Sequence, residues 1–321
     1  MTGPKIELHV HLEGTVRPAA LLAFARRNNQ PLPADTVEGL AALYQFRDFA
    51  DFIRAWLTTV ACLRTADDFR QVVLAYAAEA AGHGAVYLEG IFSPVPGVEL
   101  AETFAGYAEG AAEARERHGV IVRLTPDLHR RLDPAEAVEV AQLAVRYRDR
   151  GVVGLGLGGA ETDAPATDYA KAFAVARDGG LGLVPHAGEN AGPESLREIL
   201  AFAPDRIRHG IRAAEEPALL SEIAGRGLVL DVCPTSNLRT GAVPELARHP
   251  LPQLRAAGIS CSINTDDPAM FDTDLQREYQ LAESMGVTAV EAYAAGVAGA
   301  LCDPATRAEL VAIGRRHYPA A

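Results

Sequence analysis

Short apolar runs alternate with longer helical stretches along nearly the whole chain, and this alternation constrains the fold more than any other feature. The runs lie at 5–11 (KIELHVH), 85–92 (AVYLEGIF), 120–125 (VIVRLT), 152–157 (VVGLGL), 181–186 (LGLVPH), 206–209 (RIRH), 228–233 (LVLDVC) and 259–264 (ISCSIN). Most follow a glycine suited to ending the preceding helix: Gly84, Gly119, Gly151, Gly180, Gly227 and Gly258. Helical patterns fill the gaps, as at 101–118, 134–149 and 192–203. Strand–helix units spaced, for most of them, by roughly 25 to 35 residues predict an α/β fold, a (β/α)8 TIM barrel of parallel strands. Two segments exceed the plain repeat. Residues 34–80 are expected to insert helices after the first strand, and 273–316 to append helices after the last. No Pro-, Gly- or Ser-rich linker divides residues 1–321, so a single domain is expected.

The competing architecture, an open doubly wound sheet, requires a glycine-rich phosphate loop after the first strand. That position reads HVHLEGT. GLGLGG at 154–159 lies mid-chain and lacks an acidic partner at the later strand end, so it reads as backbone approaching a ligand closely.

The net charge of −12 comes without any Lys/Arg cluster, which excludes a nucleic-acid binder that must displace phosphate counterions. Cys62, Cys233, Cys261 and Cys302 form no CxxC pair and read as reduced, mostly buried thiols. There is no basic leader followed by an apolar core, and no apolar run of the ~18 residues a membrane span needs. A cytoplasmic protein with no membrane partner is expected; the oligomeric state is not written in the sequence.

In such a barrel, chemistry sits at the C-terminal ends of the strands. The first strand ends in His9 and His11, which at period two leave one face together. The fourth ends at Gly158 and Gly159. The fifth ends in HAGE with His186 and Glu189, the sixth in RHG with His209, and the eighth in NTDDP with Asp266 and Asp267. A lone strand histidine is ordinarily a core residue; a same-face pair joined by three further polar strand ends is a site. His9, His11, His186 and Asp266 suit a divalent transition metal, Zn²⁺ before others, with a position left for water. Such an ion lowers the pKa of that water from about 16 towards neutrality. His83, His118, His249 and His317 read as ordinary helix-end or loop residues, whereas His129, just beyond the third strand, falls at the pocket edge. Barrel hydrolases with two metals often bridge them through a carboxylated lysine on strand four. The only lysines here are Lys5 and Lys171, so one metal per chain is expected.

With these residues in place, HVHLEGT, HAGE, RHG, SINTDDPAMF and VCPTSN (232–237) resemble the adenosine deaminase family of the amidohydrolase superfamily, in order from residue 4 to about 285. The resemblance implies that His9, His11, His186 and Asp266 hold Zn²⁺ and that Glu189 protonates purine N1. His209 would orient and deprotonate the water, Asp267 would face N7, and the Gly159 N–H would face N3. Burial should raise the pKa of Glu189, which must be protonated when substrate binds.

Four departures bear on the substrate. Glu13 stands where adenosine deaminases usually carry an aspartate that contacts the ribose 5′-hydroxyl. Ile91 stands in the place of an arginine, and the fourth strand lacks the acidic residues usual around Gly159. The segment 46–56 (FRDFADFIRAW), where the family places a lid, repeats Phe46, Phe49, Phe52 and Trp56 at helical spacing and reads as an amphipathic helix packed on the barrel. The expected activity is hydrolytic deamination of a small-molecule 6-aminopurine. Adenosine and 6-aminodeoxyfutalosine are close competitors and adenine comes third. Two other classes stay open at this point. A metal-dependent hydrolase of amides or phosphoesters would need a second metal, and a non-enzymatic binding scaffold would be expected to have lost a catalytic residue.

Overall fold

A computed structural model describes residues 3–46 and 49–318, without the side chains of 49 and 50. Five strands, β1 (Lys5–His11), β2 (Ala85–Phe92), β3 (Ile121–His129), β4 (Gly154–Gly158) and β5 (Gly182–Leu183), pair in parallel in sequence order. Four more, β6 (His186–Ala187), β7 (Arg206–His209), β8 (Val229–Val232) and β9 (Ser260–Ile263), continue the same direction. β5 and β6 are halves of one stave, interrupted at Pro185 because proline brings no N–H to the ladder. The Val184 N–H still donates to Leu155 O, and the Arg208 N–H to Pro185 O, both at 3.0 Å. The ring closes where the His11 N–H donates to Asp266 O (2.8 Å) and the Asp266 N–H to His9 O (3.1 Å). The alternation read from the sequence is thus a closed barrel of eight staves.

Helices cover the outside, so the strands are buried along both faces and read as near-continuous apolar runs. β1 departs from strict alternation. Its register against β2 shifts between Glu7 and Val10, an irregularity of the kind that re-aims side chains beside active sites. The bottom of the barrel is polar. Buried Arg206 donates from Nε to Asp231 Oδ2 (2.6 Å) and from Nη2 to Glu89 Oε2 (2.7 Å), so that charge is paired.

The two extra segments have other boundaries than expected. Helix Ala66–Gly82 is the barrel's own first helix: it packs on β2 and on helix Leu100–His118, where Gly106 and Gly110 leave room for the backbone of Ala66 and Arg70. The excursion is therefore the stretch between β1 and Ala66, with helices Pro18–Arg27, Val37–Ala41 and Phe49–Val60. At the other end, Ala289–Gly299 packs directly on β1 and β9 as the last barrel helix, so part of 273–316 also belongs to the repeat. Among the described residues no helix is long and apolar enough to cross a membrane.

Candidate active site

The polar strand ends meet in one place. His9 Nε2 lies 3.2 Å from His186 Nε2 and 3.2 Å from Asp266 Oδ1; His11 Nε2 lies 3.2 Å from His186 Nε2 and 3.4 Å from Asp266 Oδ1. These spacings test the fit of a metal. Tetrahedral ligands about 2.0–2.1 Å from Zn²⁺ stand about 3.3–3.4 Å apart, close to what the four atoms show. Imidazole lone pairs turned on one another at this distance repel unless they share a cation. Burial favours the neutral rings that binding requires: it pushes His11 down to about 4 and holds His9 well below the usual imidazole range. Burial alone would raise Asp266, yet the imidazoles of His9, His209 and His11 hold it well below the usual carboxylate range. The residues present fit the group.

The backbone delivers these side chains under strain. His209 (φ 60°) and Asp266 (φ 66°) sit in the left-handed region, uncommon for residues with a Cβ and frequent at functional sites. The remaining ring nitrogens are held from behind. His186 Nδ1 is 3.1 Å from Leu157 O and 3.3 Å from Asp127 Oδ2, and His9 Nδ1 is 3.6 Å from Cys233 Sγ. Ser236 Oγ donates to Asp266 Oδ2 at 2.6 Å.

Glu189 Oε2 stands 3.6 Å from His209 Nε2, which is 3.8 Å from Asp266 Oδ2. Burial first, and the charge of Asp266 second, push Glu189 up to about 8. This matches the direction that a proton donor needs. Asp267 is buried on the cavity wall beside Asp266 with Oδ1 unpaired, and burial raises it strongly. Gly159 lines the cavity at φ 91°, a conformation that favours glycine, beside His129, which is the last residue of β3.

Glu13 lies elsewhere. It is fully buried, accepts the Ser93 N–H at 2.8 Å, and leaves Oε2 unpaired; Ser93, not Glu13, is on the cavity wall. The glycines of 154–159 also divide in role. At Gly156 a Cβ would overlap the side chains of Asp127 and Arg208, so this glycine makes room for protein; Gly158 and Gly159 face the cavity.

Helix Phe49–Val60 roofs the site with Phe52, Ile53 and Trp56. Phe52 stacks on Phe271 (5.1 Å between centroids) and Phe46 packs on both, under Arg239. The amphipathic helix expected here is present and lies over the cavity; the side chain of Phe49 lies outside the described residues. Beneath the roof about 70 Å³ is open, less than the ~300–1,000 Å³ of typical ligand sites. A larger groove of about 1050 Å³ opens at the other end of the barrel, where Arg148 already binds Gly179 O (3.2 Å) and Arg177 binds Ala203 O (2.9 Å).

Sequence reasoning missed several residues. Asp127 backs His186 and pairs with buried Arg208. Glu161 accepts the N–H groups of Gly188 (2.7 Å), Glu189 (2.8 Å) and Asn190 (2.9 Å), together with the Ser195 hydroxyl, and so pins the loop that carries Glu189. Ser236 and Asn237 were visible only as letters of VCPTSN.

Fold and residue set together define the class: a (β/α)8 barrel with an imidazole–carboxylate cluster at its mouth, the architecture of metal-dependent amidohydrolases. The adenosine deaminase family profile matches residues 4–312, and the chain belongs to that family. It is 56% identical to an aminodeoxyfutalosine deaminase from Acidothermus cellulolyticus, over 97% of this chain and 91% of that one. Among solved structures, an adenine deaminase from Arthrobacter aurescens superposes with a TM-score of 0.92 at 30% identity, covering 98% of this chain and 99% of that one. An amidohydrolase from Burkhoderia ambifaria with bound Zn gives 0.88 at 28% identity, covering 98% and 90%.

Proposed function

We propose that the protein is a single-domain, one-zinc hydrolytic deaminase of a 6-aminopurine nucleoside, with 6-aminodeoxyfutalosine as its first substrate. The 56% identity to an aminodeoxyfutalosine deaminase supports that choice over adenosine. The observation that carries the reading is the convergence of His9, His11, His186 and Asp266 within 3.2–3.4 Å contacts, beside the buried carboxyl group of Glu189, whose pKa burial raises.

His9, His11, His186 and Asp266 would hold the ion. When bound, it supplies a water acidic enough to act as a nucleophile near pH 7. Glu189 Oε carries the proton destined for purine N1, relieving the charge that builds on the ring as oxygen adds at C6. His209 Nε2, turned towards Glu189 and Asp266, orients the incoming oxygen. The Gly159 N–H is assigned to N3 and Asp267 to N7, while Glu13 acts on the substrate only through the Ser93 segment it anchors. The lid aromatics exclude bulk water. The water's two protons balance the step: one restores Glu189 to its acid form and the other leaves with the 6-amino group as ammonia, while the oxygen stays at C6 of the 6-oxopurine.

A second reading, adenine deaminase, draws support from the Arthrobacter structure. Steady-state assays with 6-aminodeoxyfutalosine, adenosine and adenine, followed at the purine absorbance shift, separate the readings. The highest kcat/KM is expected for 6-aminodeoxyfutalosine, and inertness towards all three overturns the proposal.

A further inference from the structure

His209 is one end of a buried hydrogen-bonded chain whose direction is fixed by a backbone group. The Leu251 N–H points at His249 Nδ1 (3.1 Å); His249 Nε2 meets Asn237 Oδ1 (3.2 Å); Asn237 Nδ2 meets His209 Nδ1 (3.3 Å). Asn237 is fully buried and His249 is 4% exposed, so solvent does not complete these contacts.

A backbone N–H only donates, so His249 Nδ1 must present a lone pair. A neutral ring with a bare Nδ1 carries its proton on Nε2. That proton needs an acceptor, so the amide of Asn237 turns its oxygen towards His249. Its NH2 then faces His209 Nδ1, which must also accept. The remaining proton of His209 is left on Nε2, the nitrogen 3.6 Å from Glu189 and 3.8 Å from Asp266. Burial pushes His249 down to about 4, consistent with a ring that stays neutral.

We propose that His249 and Asn237 are positioning residues that lock His209 in the tautomer with its proton on Nε2. A ring held this way offers a hydrogen bond to an oxygen in the cavity and has no lone pair at Nε2 with which to take a proton from it. The role built into His209 is thus to orient the attacking oxygen, not to deprotonate it. His249, which the sequence presented as an ordinary loop histidine, becomes a functional residue at second hand. The inference borrows from the proposed function only that His209 faces the reacting water, and the tautomer is measurable without any turnover.

The test is long-range ¹H–¹⁵N correlation on zinc-loaded protein labelled with ¹⁵N-histidine, the His209 signals being assigned by their loss in His209→Asn. The expected spectrum has the His209 proton on Nε2 in the wild type. His249→Phe, which removes the donor to Asn237 and frees the amide to turn, moves it wholly or partly to Nδ1. His249→Gln, with an amide able to accept from Leu251 and donate to Asn237, keeps it on Nε2. In parallel, kcat falls about tenfold in His249→Phe with KM little changed, and recovers in His249→Gln. A wild-type proton on Nδ1 overturns the proposal even if no variant folds, and so does a His249→Phe spectrum identical to that of the wild type.

Discussion

Asp127 and Gly156 lie on neighbouring strands and compete for one volume, and this yields a quantitative prediction. Asp127 Oδ1 pairs with the Arg208 guanidinium, whose Nη2 also donates to Thr125 Oγ1 at 2.7 Å; Asp127 and Arg208 are both buried. A Cβ at Gly156 would fall on that same ion pair. Asp127→Ala leaves a buried guanidinium uncompensated, which costs about 3–5 kcal/mol. Gly156→Asp in the wild-type background forces overlap and adds a like charge, for about 3 kcal/mol. In the double variant the overlap with Asp127 disappears, the flexible end of Arg208 has still to give way, and a carboxylate again meets that guanidinium, now from β4. Its stability should lie within about 3 kcal/mol of wild type, which gives a favourable coupling of at least about 3 kcal/mol between the two sites. Urea unfolding of the four proteins at pH 7 measures the cycle. Zinc content, read alongside, should fall in Asp127→Ala because His186 loses the carboxylate behind Nδ1. Additivity within about 0.5 kcal/mol would refute the idea that one carboxylate volume is shared by two strands.

Two further predictions concern single carboxylates. Burial raises Glu13 to about 7 from 4.5, so the folded state binds a proton that the unfolded chain has released. The stability this confers is complete below about pH 4.5 and is lost as pH rises through 7. At 1.36 kcal/mol per pKa unit the loss is roughly 3 kcal/mol. Glu13→Gln should therefore gain that amount relative to wild type between pH 5 and 8 in urea titrations; parallel pH profiles would contradict the burial argument. Glu189→Gln should lower kcat by about 10²–10⁴-fold while one zinc per chain stays bound. Turnover near the wild-type rate would remove Glu189 from the reaction.

The barrel was legible because strand ends and helix stops recur at fixed intervals. The cluster was legible because HVH, HAGE, RHG and TDDP each fall where a strand must end. What escaped reading depends on relations between distant residues. Asp127 in TPDLH is an ordinary aspartate until Gly156 is seen to vacate its space. Glu161 belongs to the site through backbone N–H groups, which no sequence letter reports. The insertion was misjudged because helix 66–82, a true barrel helix, follows the excursion's last helix after only a few residues, with no strand between them. Glu13 was assigned to substrate by resemblance, whereas the helical turn after β1 directs it into the core against Ser93.

The measurement closest to the centre of the account is metal reconstitution. Protein stripped of metal by a chelator should be inactive towards 6-aminopurines and should regain activity in proportion to added Zn²⁺, saturating at one equivalent per chain. Full activity in metal-free protein, or saturation at two equivalents, would contradict it.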